Sequence, residues 1–509
     1  MSVMSVFDHS HNRFSLKYLG RRLEALPALL VLIPVVVGIL FHEYAVLHWG
    51  LTVVLLATAL VASIVFRYRA YAPLFVVVAL VAFGYVVTEL RSVRSDIPYD
   101  TDLELMVGVE SIPIERNGYR ISEGVVTAWR GDGAWHEADS RVMLWLHSDS
   151  VGEGDRLRLH GSVRERISRF EPYDKLLHRR GFVGGVGVDS SLVIASERGD
   201  LTLHSRAVRH LEQYMRDSVS YATAEAMVVG SRRMITPELR KAYSSTGLSH
   251  LMAVSGLHLG IVLLVVGWLL RPIVVVHRGV VVYRVLIIVA LWVFAVMSGG
   301  SPSVLRAALM FSVLQLADLI SRSSWSLNTL AAIVVAMLIY RPDYLYDISF
   351  QLSVVAVAGI VVWGVPIVRR VGERRGPMSW LWSTIIISVV ATLWSMPLVS
   401  HTFGTVPIVG VIVAPVVMLT AYLILGFGVV TLLLPAPLAE PFAWCMERSA
   451  WLQNIIVERA SWWPWASLEY QMSGAEVAAV YALFALATLC GWMYREKKVV
   501  TLSVDDFEH

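Results

Sequence analysis

Residues 280–298 read VVVYRVLIIVALWVFAVMS, and Arg284 is the only charge in the run. An α-helix of about 20 apolar residues crosses the hydrocarbon of a bilayer, and a stretch this long and this apolar reads as such a span. The run has many counterparts. Comparable stretches lie at roughly 27–46, 48–66, 72–90, 247–270, 302–320, 326–341, 343–366, 380–399, 404–434 and 475–494. Of the 509 residues 56% are hydrophobic and 16% charged, against roughly a quarter charged in ordinary soluble domains. The expected fold class is a polytopic α-helical membrane protein of about 10–12 transmembrane or half helices.

Charge places the connections. Basic loops stay in the cytoplasm. Arg13, Lys17, Arg21 and Arg22 precede the first span, so residues 1–26 read as a cytoplasmic N-terminus and 27–46 as a retained helix. Arg67 and Arg69 mark the next inside turn, and the three helices of 27–90 deliver residues 91–205 to the outer face. Arg271, Arg278 and Arg284, then Arg369, Arg370, Arg374 and Arg375, mark later inside loops, and Arg495, Lys497 and Lys498 put the tail, 495–509, inside. The localisation expected is the cytoplasmic (inner) membrane, with both termini cytoplasmic. The parity holds only if 404–434, broken by Pro407, Gly410, Pro415, Gly426 and Gly428, enters and returns as a hairpin or a pair of half-helices; one kinked helix is the alternative.

Residues 91–205 are polar and read as mostly strand. Tyr119–Thr127 and Arg141–Leu146 are β-rich, DRLRLHGSV (155–163) alternates, and Phe182–Val193 carries glycines at 184, 185 and 187. Short strands with glycine-rich turns suggest a small extracytoplasmic barrel or sandwich of OB-like size. Acidic residues outnumber basic ones across it, but Arg156, Arg158, Arg164, Arg166 and Arg169 cluster and form a possible phosphate-facing stripe; a solvated barrel edge explains them equally well. Residues 206–246 read as amphipathic surface helices, and so does 441–460, followed by Trp462, Trp463 and Trp465 at an interfacial belt.

Polar groups inside the main membrane segment, 247–494, mark either a pathway or buried pairing. Ser249, His250, Ser255, Gly256 and His258 open one apolar helix. Pro302 starts another, with Ser301 as its cap and Arg306 a turn later; the alternative partners for Arg306 are Asp318 and Asp347. Asp347 and Gln351 share a face of a third helix, with Ser353 beyond. These groups either line a wet path or bridge neighbouring helices. No enzymatic site is expected: there is no P-loop and no GxSxG, His9-Ser10-His11 has no downstream ligand set, and Cys445 and Cys490 stand far apart. No metal and no cofactor are expected.

The stretch AYSSTGLSHLMAVSGLHLGIV (242–262) closely resembles the signature of the ComEC competence proteins. The likeness continues through Gly300-Ser-Pro-Ser-Val-Leu-Arg306-Ala-Ala-Leu-Met310, Asn328-Thr-Leu-Ala331, Arg341-Pro342 and Phe350-Gln351-Leu-Ser353. Upstream, Gly230, Arg232 and Arg233 and the segment from Phe170 to Gly181 match as well. The resemblance implies an inner-membrane channel that carries one strand of DNA inward during natural transformation. It implies that Ser249, His250, Ser255, Gly256, His258, Pro302, Arg306, Gln351 and Ser353 line the DNA path. Implied partners are single-stranded DNA, membrane lipid, a periplasmic DNA receptor, and a cytoplasmic helicase or strand-binding proteins.

Three departures bear on this. Many members end in a metallo-β-lactamase-like domain; this sequence has no HxHxDH motif, so a short form is expected, with any nuclease a separate protein. Residues 91–205 hold no cysteine for the disulfide some members carry. Ala414-Pro415 stands where many members have Asn before proline. Two rival functions remain: a small-solute secondary transporter, favoured by the broken 404–434 segment and membrane histidines, and a membrane DNA receptor or scaffold that does not conduct.

Overall fold

The computed structural model describes residues 26–505 apart from 46–47, 92–96, 117–118, 148–150, 169, 190–191, 200–201, 253, 277, 320–326, 372–376, 408 and 464–465. Arg13, Lys17, Arg21, Arg22, His9-Ser10-His11, Arg169, Arg374, Arg375 and Trp465 lie outside the described residues. In chain order the first elements are α1 (Pro27–Tyr44), α2 (Trp49–Val65), α3 (Ala72–Arg91), β1 (Leu103–Val109), β2 (Ile114–Arg116), β3 (Tyr119–Arg130), β4 (Trp135–Leu146), β5 (Arg156–Gly161), α4 (Glu171–Arg179), β6 (Phe182–Val188) and β7 (Val193–Glu197). There follow α5 (Leu203–Glu212), α6 (Ser218–Val228), α7 (Pro237–Ser245), α8 (Gly256–Leu270), α9 (Gly279–Met297), α10 (Pro302–Leu319), α11 (Leu327–Tyr340), α12 (Ile348–Gly359) and α13 (Val365–Val371). The last are α14 (Pro377–Phe403), β8 (Thr405–Pro407), α15 (Val409–Leu433), α16 (Glu440–Ser461), β9 (Ser467–Glu469) and α17 (Gly474–Asp505).

Among the described residues eight helices are long and apolar enough to cross a membrane, and α2, Pro302–Leu316 and α11 are shorter apolar ones. Their outward faces carry Ile33, Phe41, Leu264, Trp268, Val289 and Val293 in the open. Helices this apolar, with every backbone group bonded internally and large hydrophobes outside, suit a lipid solvent. The protein is a multi-pass membrane protein with a β-rich domain, as expected.

The chain forms two compact units. The first joins α1–α3 with α11, which arrives from far along the sequence. Asn328 Oδ1 accepts the Ala28 N–H at 2.8 Å at the start of α1, satisfying a donor that a helix N-terminus otherwise leaves open. α1 and α3 touch backbone to backbone. A Cβ on Gly38 would lie 2.0 Å from the Val81 carbonyl oxygen, and one on Gly84 would lie 2.4 Å from that of Val35. Small residues allow this approach where no hydrophobic effect draws helices together. The division of 27–90 from 247–494 read in the sequence thus differs by one helix, because nothing local marks α11 as a partner of α1.

The second unit holds the β domain and the remaining helices. In the sheet the order is β6-β4-β3-β1-β5-β7, with β2 beside β3; β4 and β6 run parallel and the other pairs antiparallel. Past β5 the chain bridges back to β6 at Arg164 and Gly185, so the sheet path closes on itself. Glycine is required at that crossing: a Cβ on Gly185 would meet the Trp145 ring at 2.1 Å. Leu105, Val126, Val142, Leu144, Leu159 and Val186 fill the interior.

Three expectations are corrected. Residues 404–434 form no pair of half-helices: α15 is one helix with Pro415 inside it. And 441–460 is not a free surface helix, although Trp444, Trp451 and Leu452 stay exposed on one face. As α16 it packs along α15, α6 and α7, and β9 at its end pairs antiparallel with β8 at the start of α15. The two ends of the α15–α16 hairpin are thereby held together. Within 206–246, α6 is buried from Ser220 to Val228 and is no amphipathic surface helix.

Candidate nucleic-acid path in the membrane domain

Three helix starts meet where the sequence places its polar clusters. Gly247 has φ +72°, which only glycine adopts freely, and turns the chain into a short 3₁₀ segment, Ser249–Met252. Ser255 then caps α8. Its N–H donates to His258 Nδ1 at 3.2 Å, and its hydroxyl lies 2.8 Å from the same nitrogen. Because a backbone N–H can only donate, Nδ1 accepts and the neutral ring carries its proton on Nε2. His258 is 0% exposed, and Nε2 makes no hydrogen bond of good geometry, with the Leu251 backbone set against the ring.

α10 begins after a turn in which Gly299 and Gly300 have φ +80° and +60°. Pro302 occupies the first helical position, where its missing N–H costs nothing. α8 and α10 pack with small groups facing: a Cβ on Gly256 would sit 3.5 Å from Ala307 Cβ, and one on Gly260 3.6 Å from the Phe311 ring. One residue before Ala307, Arg306 is 1% exposed. Its Nη2 donates to Ser303 Oγ at 3.1 Å, its guanidinium lies 5.7 Å from the Phe350 ring centroid, and Nη1 has no partner. The contacting turns of α8 and α10 thus hold two buried donors without acceptors.

The third start is α12. Asp347 Oδ1 accepts the Phe350 N–H at 3.0 Å, a side-chain N-cap. Gln351 is half-buried and donates to the Leu345 carbonyl at 2.7 Å, so it braces the 3₁₀ turn Pro342–Tyr346. Ser353 is half-buried, Ser249 and His250 are exposed, and His250 Nδ1 lies 3.1 Å from the Gly247 carbonyl oxygen. In this arrangement these residues do not all face one wet path. Ser255 is spent on its cap, and His258 and Arg306 are shut away from solvent because α8 and α10 close over them. Gly230, with φ +79°, lets three segments meet here: a Cβ on it would lie 2.8 Å from the Ser298 carbonyl oxygen and 3.0 Å from Val254. Arg232 ties in the 3₁₀ segment through the Met252 carbonyl at 2.9 Å.

The family model described as Competence protein matches residues 227–495, more than half of the chain. The chain belongs to the competence protein family. ComE operon protein 3 of Bacillus subtilis (strain 168) is 28% identical to it over 192 residues, 38% of this chain and 24% of that protein. Competence protein ComA of Neisseria gonorrhoeae is 25% identical over 325 residues, 61% of this chain and 44% of that protein. An uncharacterised protein of Aquifex aeolicus (strain VF5) is 30% identical over 203 residues, 40% of this chain and 45% of that protein. The matched stretches span less than half the length of each relative. No solved structure matches. The resemblance to ComEC competence proteins read from the sequence is borne out.

In the β domain of this competence protein the arginine stripe divides. Arg158 and Arg130 both pair with the buried Glu104 and flank the Trp135 ring at 5.6 and 5.3 Å. Arg156 and Arg164 are exposed, and Arg166 donates to the Ser168 carbonyl at 3.2 Å. One contact escaped the sequence. Arg180, just past α4, donates to Asp347 Oδ2 at 2.7 Å, and Arg179 lies over the Tyr346 ring at 4.3 Å. The signal available was a basic pair closing the Phe170–Gly181 motif; its acidic partner lies 167 residues away.

Proposed function

We propose that this competence protein conducts one strand of DNA across the cytoplasmic membrane during natural transformation. The observation that carries the reading is the pair of orphan donors, His258 Nε2 and Arg306 Nη1, on contacting turns of α8 and α10. A buried donor without an acceptor costs about 1–3 kcal/mol, more when charged. A phosphate oxygen is the acceptor that a guanidinium fork takes best. The strand reaches these groups once α8, α10 and α12 part, and Gln351 and Ser353, already half-exposed, stand on its way. Few fixed cations suit the task, since a polyanion must also leave.

Outside, the closed OB-like sheet offers Arg156, Arg164 and the Trp135 ring, the mixture of cations and aromatic faces on which single strands stack. The chain does no covalent chemistry in this scheme. Single strands come from a periplasmic receptor and a separate nuclease, and cytoplasmic strand-binding proteins or a helicase draw them in. Both termini are cytoplasmic, with the β domain outside.

Labelled DNA supplied to cells lacking the protein tests this. Channel function predicts that DNA accumulates outside the inner membrane and none reaches the cytoplasm. Undiminished cytoplasmic entry rejects the channel. DNA bound by the purified protein in vesicles but never passed across would leave a receptor, and transport of a small solute with no DNA binding would leave a secondary transporter.

A further inference from the structure

Asp347 holds one guanidinium directly and caps the residue whose ring lies near a second, from a different part of the fold. On one side is Arg180 of the β domain, 46% exposed at its side chain, with Nη2 at 2.7 Å from Oδ2. The neighbouring Arg179 lies over Tyr346 at 4.3 Å, so two consecutive residues seat the β domain on the turn that starts α12. Beyond the capped Phe350 is Arg306, which makes no ion pair with Asp347 and has Nη1 unfilled. Phe350 joins the two: its N–H is capped by Oδ1 at 3.0 Å, and its ring lies 5.7 Å from the Arg306 guanidinium.

We propose that Asp347 couples the β domain to the Arg306 site: while Arg180 holds the carboxylate, Arg306 stays unpaired and open to a phosphate. Both oxygens are engaged in the seated arrangement, one by Arg180 and one by the Phe350 N–H. Arg306 then receives the field of a nearby anion, which keeps a buried guanidinium charged, without surrendering its donors to it. Release of Arg180 frees Oδ2, and Arg306, set against the Phe350 ring with Nη1 unfilled, supplies the donor that takes its place. That ion pair quenches the strand contact. The membrane site is thus competent only with the β domain seated, and Asp347 and Arg180 act as positioning residues that need not touch DNA. The inference rests on the proposed strand contact at Arg306.

Three variants of the full chain separate the possibilities, each scored for DNA entry per molecule accumulated in the membrane. Arg180→Ala is expected to lower entry at least tenfold, and Arg180→Lys to stay within threefold of the wild type. Arg180→Ala with Asp347→Asn is the decisive double variant. Asparagine keeps the cap on Phe350 but lacks the charge that captures Arg306, so entry should recover to within threefold of wild type. If the double variant stays as low as Arg180→Ala, Asp347 is only a latch and the coupling is overturned; normal entry with Arg180→Ala alone overturns it too. Arg306→Ala, run in parallel, keeps the two claims apart. Wild-type entry there removes the strand contact itself. A dead Arg306→Ala beside an unrescued double variant leaves the contact standing and removes only the coupling.

Discussion

Two of the polar clusters buried among the described helices differ in one respect. At the meeting of α6, α7, α15 and α16, Gln453, Tyr243, Asn454, Thr223 and Thr420 bond to one another. Gln453 donates to the Tyr243 hydroxyl at 3.0 Å, Tyr243 donates to Asn454 Oδ1 at 3.0 Å, Thr223 donates to the same oxygen at 2.8 Å, and Thr420 donates to Gln453 Oε1 at 2.9 Å. At the meeting of α8, α10 and α12, His258 Nε2 and Arg306 Nη1 remain open. Both clusters exclude water and both use residues that are costly in lipid. A closed network fastens helices. An open one sacrifices stability for a group that arrives later. On the proposed reading the comparison gives a criterion finer than polarity: what would separate glue from pathway is a buried charged donor left over, as at Arg306.

The largest effect should follow from removing the open cluster's charge. Arg306→Ala is expected to abolish DNA entry while the protein still accumulates and melts at or above the wild-type temperature, because an unpaired buried charge has been taken away. Arg306→Lys should recover little, since an ammonium cannot offer a planar fork. Entry assays and thermal melting in detergent on the same preparations check this. Normal uptake with Arg306→Ala would erase the distinction between the clusters.

Much of the membrane fold was legible because its signal is local. Runs of about 20 apolar residues announce spans, and period-two alternation announced most of the β domain. Ser249 to His258 and Pro302 to Arg306 were legible as motifs. What could not be read was pairing. α16 carries Glu447, Gln453 and Asn454, which lower its hydropathy and made it resemble a surface helix. Those residues are instead matched by α6, α7 and α15: Glu447 alone accepts the N–H groups of Arg216 and Asp217 at 2.9 and 2.6 Å. Ser255 looked like a lumen residue because a cap and a pore group use the same hydroxyl. Arg180 was missed because its carboxylate is distant in sequence.

A smaller effect is expected from opening the closed cluster. Asn454→Leu strands the hydroxyls of Thr223 and Tyr243, and buried interhelical hydrogen bonds of this kind are worth roughly 1–2 kcal/mol. The variant should melt several degrees lower and accumulate less, but each molecule that remains should pass DNA at the normal rate. Tyr243→Phe should show the same pattern more weakly. A loss of entry per molecule as large as that of Arg306→Ala would place this cluster on the path as well, and the criterion would need another basis.

The smallest effect concerns a closed cluster outside the membrane, where water can replace what is lost. Glu104, 3% exposed, holds Arg158 and Arg130 on the face of the β domain. The hydrogen bond from Arg158 and the charges of both guanidiniums hold its carboxyl below the usual range, against the upward push of burial. A lowered value in the fold means stability that is present above the ordinary carboxylate pKa and lost as pH falls through that value towards the folded one. Protease nicking of the detergent-solubilised full chain within 91–205 should therefore increase as pH is lowered below about 4. Glu104→Gln, which cannot titrate, should nick somewhat faster at neutral pH and show a flatter profile. Because both arginines remain hydrated at their outer edges, DNA entry should change little. A variant whose pH profile matches the wild type would show that Glu104 contributes no titrating stability, and that satisfaction outside the bilayer cannot be weighed on the same scale as satisfaction within it.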